Sequence, residues 1–283
     1  MSALVASTRA ELLRLRKWPA VWIMLGIWTL LNLTFAYVFP YLSFTTGAAA
    51  GPIEGALLAE VLPANVPSAL IGGMPLFGGA IMLILGALAV GSGYGWGTWK
   101  TVLTQGPSRL AAFGGTLVAL WIFVVGVVLS TLVVDLGASV LLASIEGQSL
   151  DLASFQALAE AFGGGLLIFG MWSMAGVLVG TLARGPALAV GLGLVWTLVL
   201  ENLLRGVAGL LTWLEPITDV FPGTAAGSLA GFIGGAPVSP GGDDGTPGVL
   251  TVLSGGSATL LLVAYVLAFA AIAAALVRQR DLT

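Results

Sequence analysis

Residues 110–134 read LAAFGGTLVALWIFVVGVVLSTLVV, 25 positions without one charged side chain. A helix that crosses a bilayer needs about 20 mostly apolar residues. This stretch satisfies that with room to spare. Its far boundary lies at Val134, before Asp135, or further on near Leu142. Five other runs meet the same requirement, at about 20–39, 72–92, 155–182, 187–204 and 251–277. The expectation is an all-α, polytopic membrane protein with six spans in a single domain, residues 1–283.

Composition agrees. Hydrophobic residues make up 58% of the 283 and charged residues only 8%, whereas soluble domains carry about 25% charged residues. Mean hydropathy is +1.05. With no cysteine and no histidine, disulfides, Cys- or His-ligated metals and His-based catalysis are excluded. The 41 glycines are scattered, as suits close helix approach. A net charge of −3 argues against a nucleic-acid partner.

Basic residues orient the chain. Arg9, Arg14, Arg16 and Lys17 precede span one, Lys100 and Arg109 separate spans two and three, Arg184 separates four and five, and Arg278 and Arg280 follow span six. Six alternating spans put all of these on one side and leave Arg205 alone on the other. The positive-inside rule makes the crowded side cytoplasmic, with both termini there. Glu54, Glu60, Glu146, Asp151, Glu215, Asp219, Asp243 and Asp244 then face out.

Residues 1–17 have the charge of a signal-peptide n-region, with Ala48–Ala50 as small residues for cleavage. Span one is longer than a typical signal h-region, which favours an uncleaved chain. In that case 1–18 reads as an interfacial helix, with Thr8 and Glu11 at capping-box spacing and its cations on the anionic inner leaflet. Prolines 52, 63 and 67 mark 41–71 as an outer loop. Residues 205–250 hold apolar runs at 206–213 and 225–232, too short to span, and read as outer half-helices followed by a Pro/Gly-rich loop at 236–248.

Chemistry has few places to reside. A phosphate-binding P-loop needs a lysine after glycine, yet Lys17 follows Arg16 and Lys100 follows Trp99. No cofactor is expected in this chain, and any ATP and Mg belong to a partner. Intramembrane carboxylates are costly and often functional. Glu201 stands four residues before Arg205, the favourable order for a helical ion pair at the outer interface. Asp135 reads as an interfacial residue ending a helix. In span one, Met24, Trp28, Asn32 and Phe35 share a face, and Asn32 is the strongly polar residue at mid-span. This face is a candidate pathway lining, since polar groups in membranes face protein or a cavity. Gly176-x-x-x-Gly180, Gly227-x-x-x-Gly231 and Gly231-x-x-x-Gly235 read as packing within the chain.

Residues 93–109, GYGWGTWKTVLTQGPSR, form the longest cytoplasmic loop. Trp96 and Trp99 are either belt residues at the interface or part of a helix that seats on a partner. In the second case Thr98 caps a short helix, Gly106-Pro107 ends it, Trp99 with Val102 or Leu103 forms an apolar anchor, and Lys100 lies at the rim.

This loop resembles the one after the second span of ABC-2-type permeases. The shared core is Tyr94-Gly95-Trp96-Gly97-Thr98, followed by a short helix and Pro107-Ser108-Arg109; the family's acidic residue before the tyrosine is Gly93 here. The tail Arg278-Gln279-Arg280-Asp281-Leu282 resembles the basic-plus-Asp ending of the same family. The resemblance implies an export permease in the cytoplasmic (inner) membrane that moves an amphiphile such as a lipid, glycan, peptide antibiotic or drug. It implies a second permease copy or sister subunit, with spans one, two and five near the axis. It also implies cytoplasmic ATP-binding subunits that contact 94–105, and makes this chain a transport subunit rather than an enzyme. A proton-coupled carrier using Asp135 or Glu201, and a non-transporting anchor or sensor, are the other readings.

Overall fold

The computed structural model describes residues 2–47, 52–211, 213–236 and 246–279. They are all-helical, with six helices long and apolar enough to cross a membrane: Pro19–Thr45, Pro63–Gly95, Arg109–Ile145, Phe155–Ala183, Pro186–Ala208 and Gly255–Gln279. The chain is a multi-pass membrane protein. Residues 48–50, the loop section 237–245 and the tail 280–283, all used in the sequence reading, lie outside the described residues.

Several spans run past their expected ends. Span one continues through Pro40 to Thr45, span two begins at Pro63 rather than 72, span three reaches Ile145, and span five reaches Ala208. Span six starts at Gly255 rather than 251. Proline ends a helix because it lacks an N–H and crowds the carbonyl four residues back. Here that conflict is relieved locally. Pro63 opens a 3-10 turn, where the missing N–H would have had no partner. Pro40 follows a π turn, Thr34–Val38, and Pro75 sits inside another, Met74–Gly78. The expected outer loop 41–71 is therefore mostly helix, including a separate segment Pro52–Glu60.

Spans two and four form the core, with 72% and 67% of their apolar windows buried, against 22%, 22% and 17% for spans one, five and six. Span two is thus largely enclosed by its own chain. The core seam depends on missing side chains. A methyl group at Gly86 would overlap the Ser173 carbonyl, and one at Gly176 would overlap the Leu83 carbonyl. Backbones this close gain dispersion contacts that bulkier residues would block. Trp172 fastens the same seam by donating from Nε1 to the Pro75 carbonyl at 3.0 Å.

The N-terminal helix Ala3–Lys17 is capped by Ser2, whose Oγ accepts from Val5 N–H. Thr8 and Glu11 make no capping box. Thr8 bonds back to the Leu4 carbonyl, and Glu11 pairs with Arg14 at 2.6 Å. The helix packs on the start of span three, where Gly115 admits Ser7. Burial pushes the Glu11 carboxyl above its ordinary range, against the opposing pull of Arg14.

Gly206, Val207 and Ala208 belong to span five rather than to a half-helix. A four-residue turn, Glu215–Thr218, and a genuine half-helix, Pro222–Gly234, follow. Thr224 through Gly231 are buried in protein, the setting in which a non-spanning segment is tolerated.

Gly176→Val is expected to destabilise the bundle by about 1–3 kcal/mol or more through overpacking. Gly126→Ala, where an added methyl meets nothing within 4 Å, should be neutral or stabilising. Thermal unfolding in detergent separates the two.

Candidate functional site

A cavity of about 510 Å³ opens between span one, the first half of span two and the half-helix. Its volume falls in the range of small-ligand sites, about 300–1,000 Å³. Trp28, Asn32 and Phe35 contribute from span one, Asn65, Ser68 and Phe77 from span two, and Gly234 and Val249 close another side. Of the four span-one residues singled out in the sequence, these three share the wall. Met24 does not reach it and packs against the core instead.

Each wall residue is held by something behind it. Trp28, 1% exposed, donates from Nε1 to Thr131 Oγ1 at 2.8 Å and meets Phe169 edge-on at 5.3 Å. Asn32 donates from Nδ2 to Asp135 Oδ1 at 2.6 Å. Tyr37 donates to the Asp135 carbonyl at 3.2 Å, and Tyr41 donates to Glu146 Oε1 at 2.7 Å. Phe35 and Phe77 stack at 5.5 Å, 15° from parallel.

The spacing explains how one face of span one can supply all four partners. Positions 28 and 32 are a helical turn apart, as are 37 and 41, but 32 to 37 is five residues. The π turn Thr34–Val38 absorbs that extra residue and returns Tyr37 to the Asn32 face. Such single π turns recur at functional sites. On span three, Thr131 and Asp135 are likewise one turn apart.

Asp135 is therefore no interfacial helix end. It lies inside span three at zero exposure, and its Oδ2 has no hydrogen-bond partner among the described residues. Thr131, Tyr37 and Tyr41 were missed in the sequence. The signal available was the matched four-residue spacing of Trp28/Asn32 and Thr131/Asp135.

Glu201 has a role beyond the pairing with Arg205 expected from their spacing. It is 1% exposed, and its Oε1 accepts from Thr224 N–H at 3.1 Å. Thr224 lies in the first turn of the half-helix, whose own cap position is Phe221 with no side-chain acceptor. Span five thus lends a carboxylate to the open N–H groups and positive dipole end of another helix. A Cβ at 223 would meet this carboxylate and displace it, so glycine there leaves room for the contact. Arg205 acts on Glu201 as a nearby positive charge and donates directly to Asn202 Oδ1 at 2.5 Å. Asn202 in turn donates to the Thr197 and Leu198 carbonyls, inside the third π turn, Val195–Leu200.

At the other end of span two, Thr98–Thr104 forms the expected short helix. Gly97 at φ +67° is its cap residue, so Thr98 is the first helical residue and not the cap. Trp99, Val102 and Leu103 do share a face, but it turns inward. Trp99 is 8% exposed, packs between Tyr94 and Phe113, and donates to the Val90 carbonyl at 3.4 Å. Lys100, Thr101 and Thr104 are exposed, and Trp96, 68% exposed, meets Trp18 edge-on at 6.1 Å.

No group of three or more carboxylates that could hold a metal occurs among the described residues. Fold and site define a six-span membrane protein with a lined cavity at one end of its core helix and a short rigid helix at the other. A scan against protein-family models finds no match for the chain, and a search of curated proteins finds none.

Asn32→Leu leaves the Asp135 carboxyl buried without its donor. A loss on the order of 1–3 kcal/mol is expected, with most of it recovered in Asn32→Leu/Asp135→Leu. A double-mutant cycle of thermal stabilities measures this. Glu201→Gln should raise amide hydrogen exchange in 222–226 by about tenfold, as loss of about 1.4 kcal/mol of capping implies. Exchange elsewhere in the bundle should not change.

Proposed function

We propose that the chain is the permease subunit of an ATP-driven exporter of the ABC-2 type. It moves an amphiphile across the cytoplasmic membrane, with its termini inside, beside a second permease copy and ATP-binding subunits that carry ATP and Mg. The observation that supports this best is the continuity of span two. Pro63–Gly95 is one 33-residue span, α-helical over Gly79–Gly95 and carried on to the cavity through the π turn Met74–Gly78 and the helix Val66–Gly72. Asn65 through Phe77 line the cavity at one end, and two residues separate the other end from Thr98–Thr104. A partner that pushes the short helix pushes the helix that lines the cavity. Trp96, Lys100, Thr101 and Thr104 are the surface for that partner; Tyr94, Trp99, Val102 and Leu103 secure the short helix from beneath. Spans one and five, little buried in the monomer, are the faces for a second copy.

A proton-coupled carrier is the second reading, favoured by one observation: Asp135 is fully buried directly behind the cavity residue Asn32. Purification of the tagged chain from its native membrane distinguishes the two. An ATP-binding subunit should co-purify, and Lys100→Glu/Thr101→Glu should release it or cut substrate-stimulated hydrolysis at least tenfold. Trp99→Ala should instead lower the thermal stability of the permease itself. Full retention of partner and stimulation in the double variant, with transport driven by a proton gradient alone, would replace the exporter with the carrier.

A further inference from the structure

The cavity has a charge asymmetry that identifies the chemistry of its occupant. No lysine or arginine lines it among the described residues, and its one charged lining group is the carboxylate of Glu60. Glu60 sits exposed at the end of Pro52–Glu60, at the cavity's edge. A second carboxylate, Asp135, lies one residue behind the wall, joined to it through Asn32. The rest of the lining is uncharged, mostly small and aliphatic residues, with a few aromatic rings and amides among them. Phe35 and Phe77 stack into a flat apolar surface, Trp28 lies one turn below Phe35's neighbour Leu31, and Asn65 and Ser68 add neutral polar groups.

A carboxylate attracts a cation and repels an anion, and the stacked Phe35 and Phe77 offer apolar surface to a tail. An anion would meet the Glu60 carboxylate and no positive lining group. The geometry points to an amphiphile with a single cationic head, an amine or quaternary ammonium, bound with the head toward Glu60 and Asn32 and the apolar part against Phe35 and Phe77. This deepens the exporter reading, because it gives that transporter a substrate class. Its measurement needs no ATPase.

The test uses the full chain in nanodiscs of zwitterionic lipid, so that the bilayer does not select by charge. Three fluorescent alkyl probes of equal tail length carry a trimethylammonium, a neutral hydroxyl or a sulfonate head. The ammonium probe should bind about tenfold tighter than the sulfonate. Glu60→Gln should reduce that preference severalfold while leaving the neutral probe unchanged, and Phe35→Ala should weaken the ammonium and neutral probes alike. Equal or tighter sulfonate binding overturns the proposal, as does a Glu60→Gln variant that keeps the full ammonium preference. Ammonium binding by a chain that co-purifies with no ATP-binding subunit from its native membrane would remove the exporter reading and leave the site. A working ATPase complex that prefers the sulfonate would do the reverse.

Discussion

A carboxyl group inside a membrane helix constrains everything around it. An ionisable side chain within a spanning helix is costly and faces protein or a cavity. Asp135 is fully buried in span three, so its neighbours must offset that cost with donors. Span one supplies them: Asn32 to the side chain and Tyr37 to the backbone. Supplying both from one straight α-helix would put Tyr37 off the face. The π turn Thr34–Val38 corrects the phase. The same turn carries the chain past Pro40, so one irregularity meets two demands. Span one, otherwise little buried, is tied to span three by this ladder, and two of the ladder residues, Trp28 and Asn32, also form part of the cavity wall.

The second buried carboxylate solves a different problem. A half-helix that ends within the protein has unpaired N–H groups at its start. Phe221 offers them nothing, and Glu201 does. Tyr265 of span six adds a bond to the Val220 carbonyl at 2.6 Å, just before the half-helix. Spans five and six thus position Pro222–Gly234, and Gly234 then closes the cavity. The two intramembrane acids shape the same cavity from opposite sides, Asp135 through span one and Glu201 through the half-helix.

Sequence made the six spans visible because hydropathy is a local property, and runs such as 110–134 carry it unambiguously. It made the short helix after span two visible because Gly97 and Gly106-Pro107 are local punctuation. What remained hidden was non-local. Whether Pro40 stops span one depends on a π turn that only partners on span three make worthwhile. Whether Trp99 faces out or in depends on Gly93 leaving space for its ring. Spacing alone assigned Glu201 to Arg205, because the competing partner, Thr224 N–H, lies 23 residues away. The shared face of Trp28, Asn32 and Phe35 was legible from helical period. Its depth into the fold, and Met24's separation from it, were not.

The last turn of span two gathers these elements at the end carrying the termini. Arg14 of the N-terminal helix donates to the Ala89 carbonyl at 2.8 Å. Trp99 of the short helix donates to the next carbonyl, Val90. The turn between spans four and five packs Pro186 against Gly91, with Arg184 held at φ +53° to make that reversal. Three separate segments thus hold three consecutive residues. A backbone carbonyl has two lone pairs, so these side-chain donors attach as second partners without breaking the helix's own hydrogen bonds. The attachment makes span two stiff where the short helix joins it, and the glycine seam with span four keeps it stiff further along. Displacement applied at Thr98–Thr104 therefore has little to absorb it before the π turn Met74–Gly78, the first irregular point in the helix, and that point adjoins the cavity wall at Gly73 and Phe77.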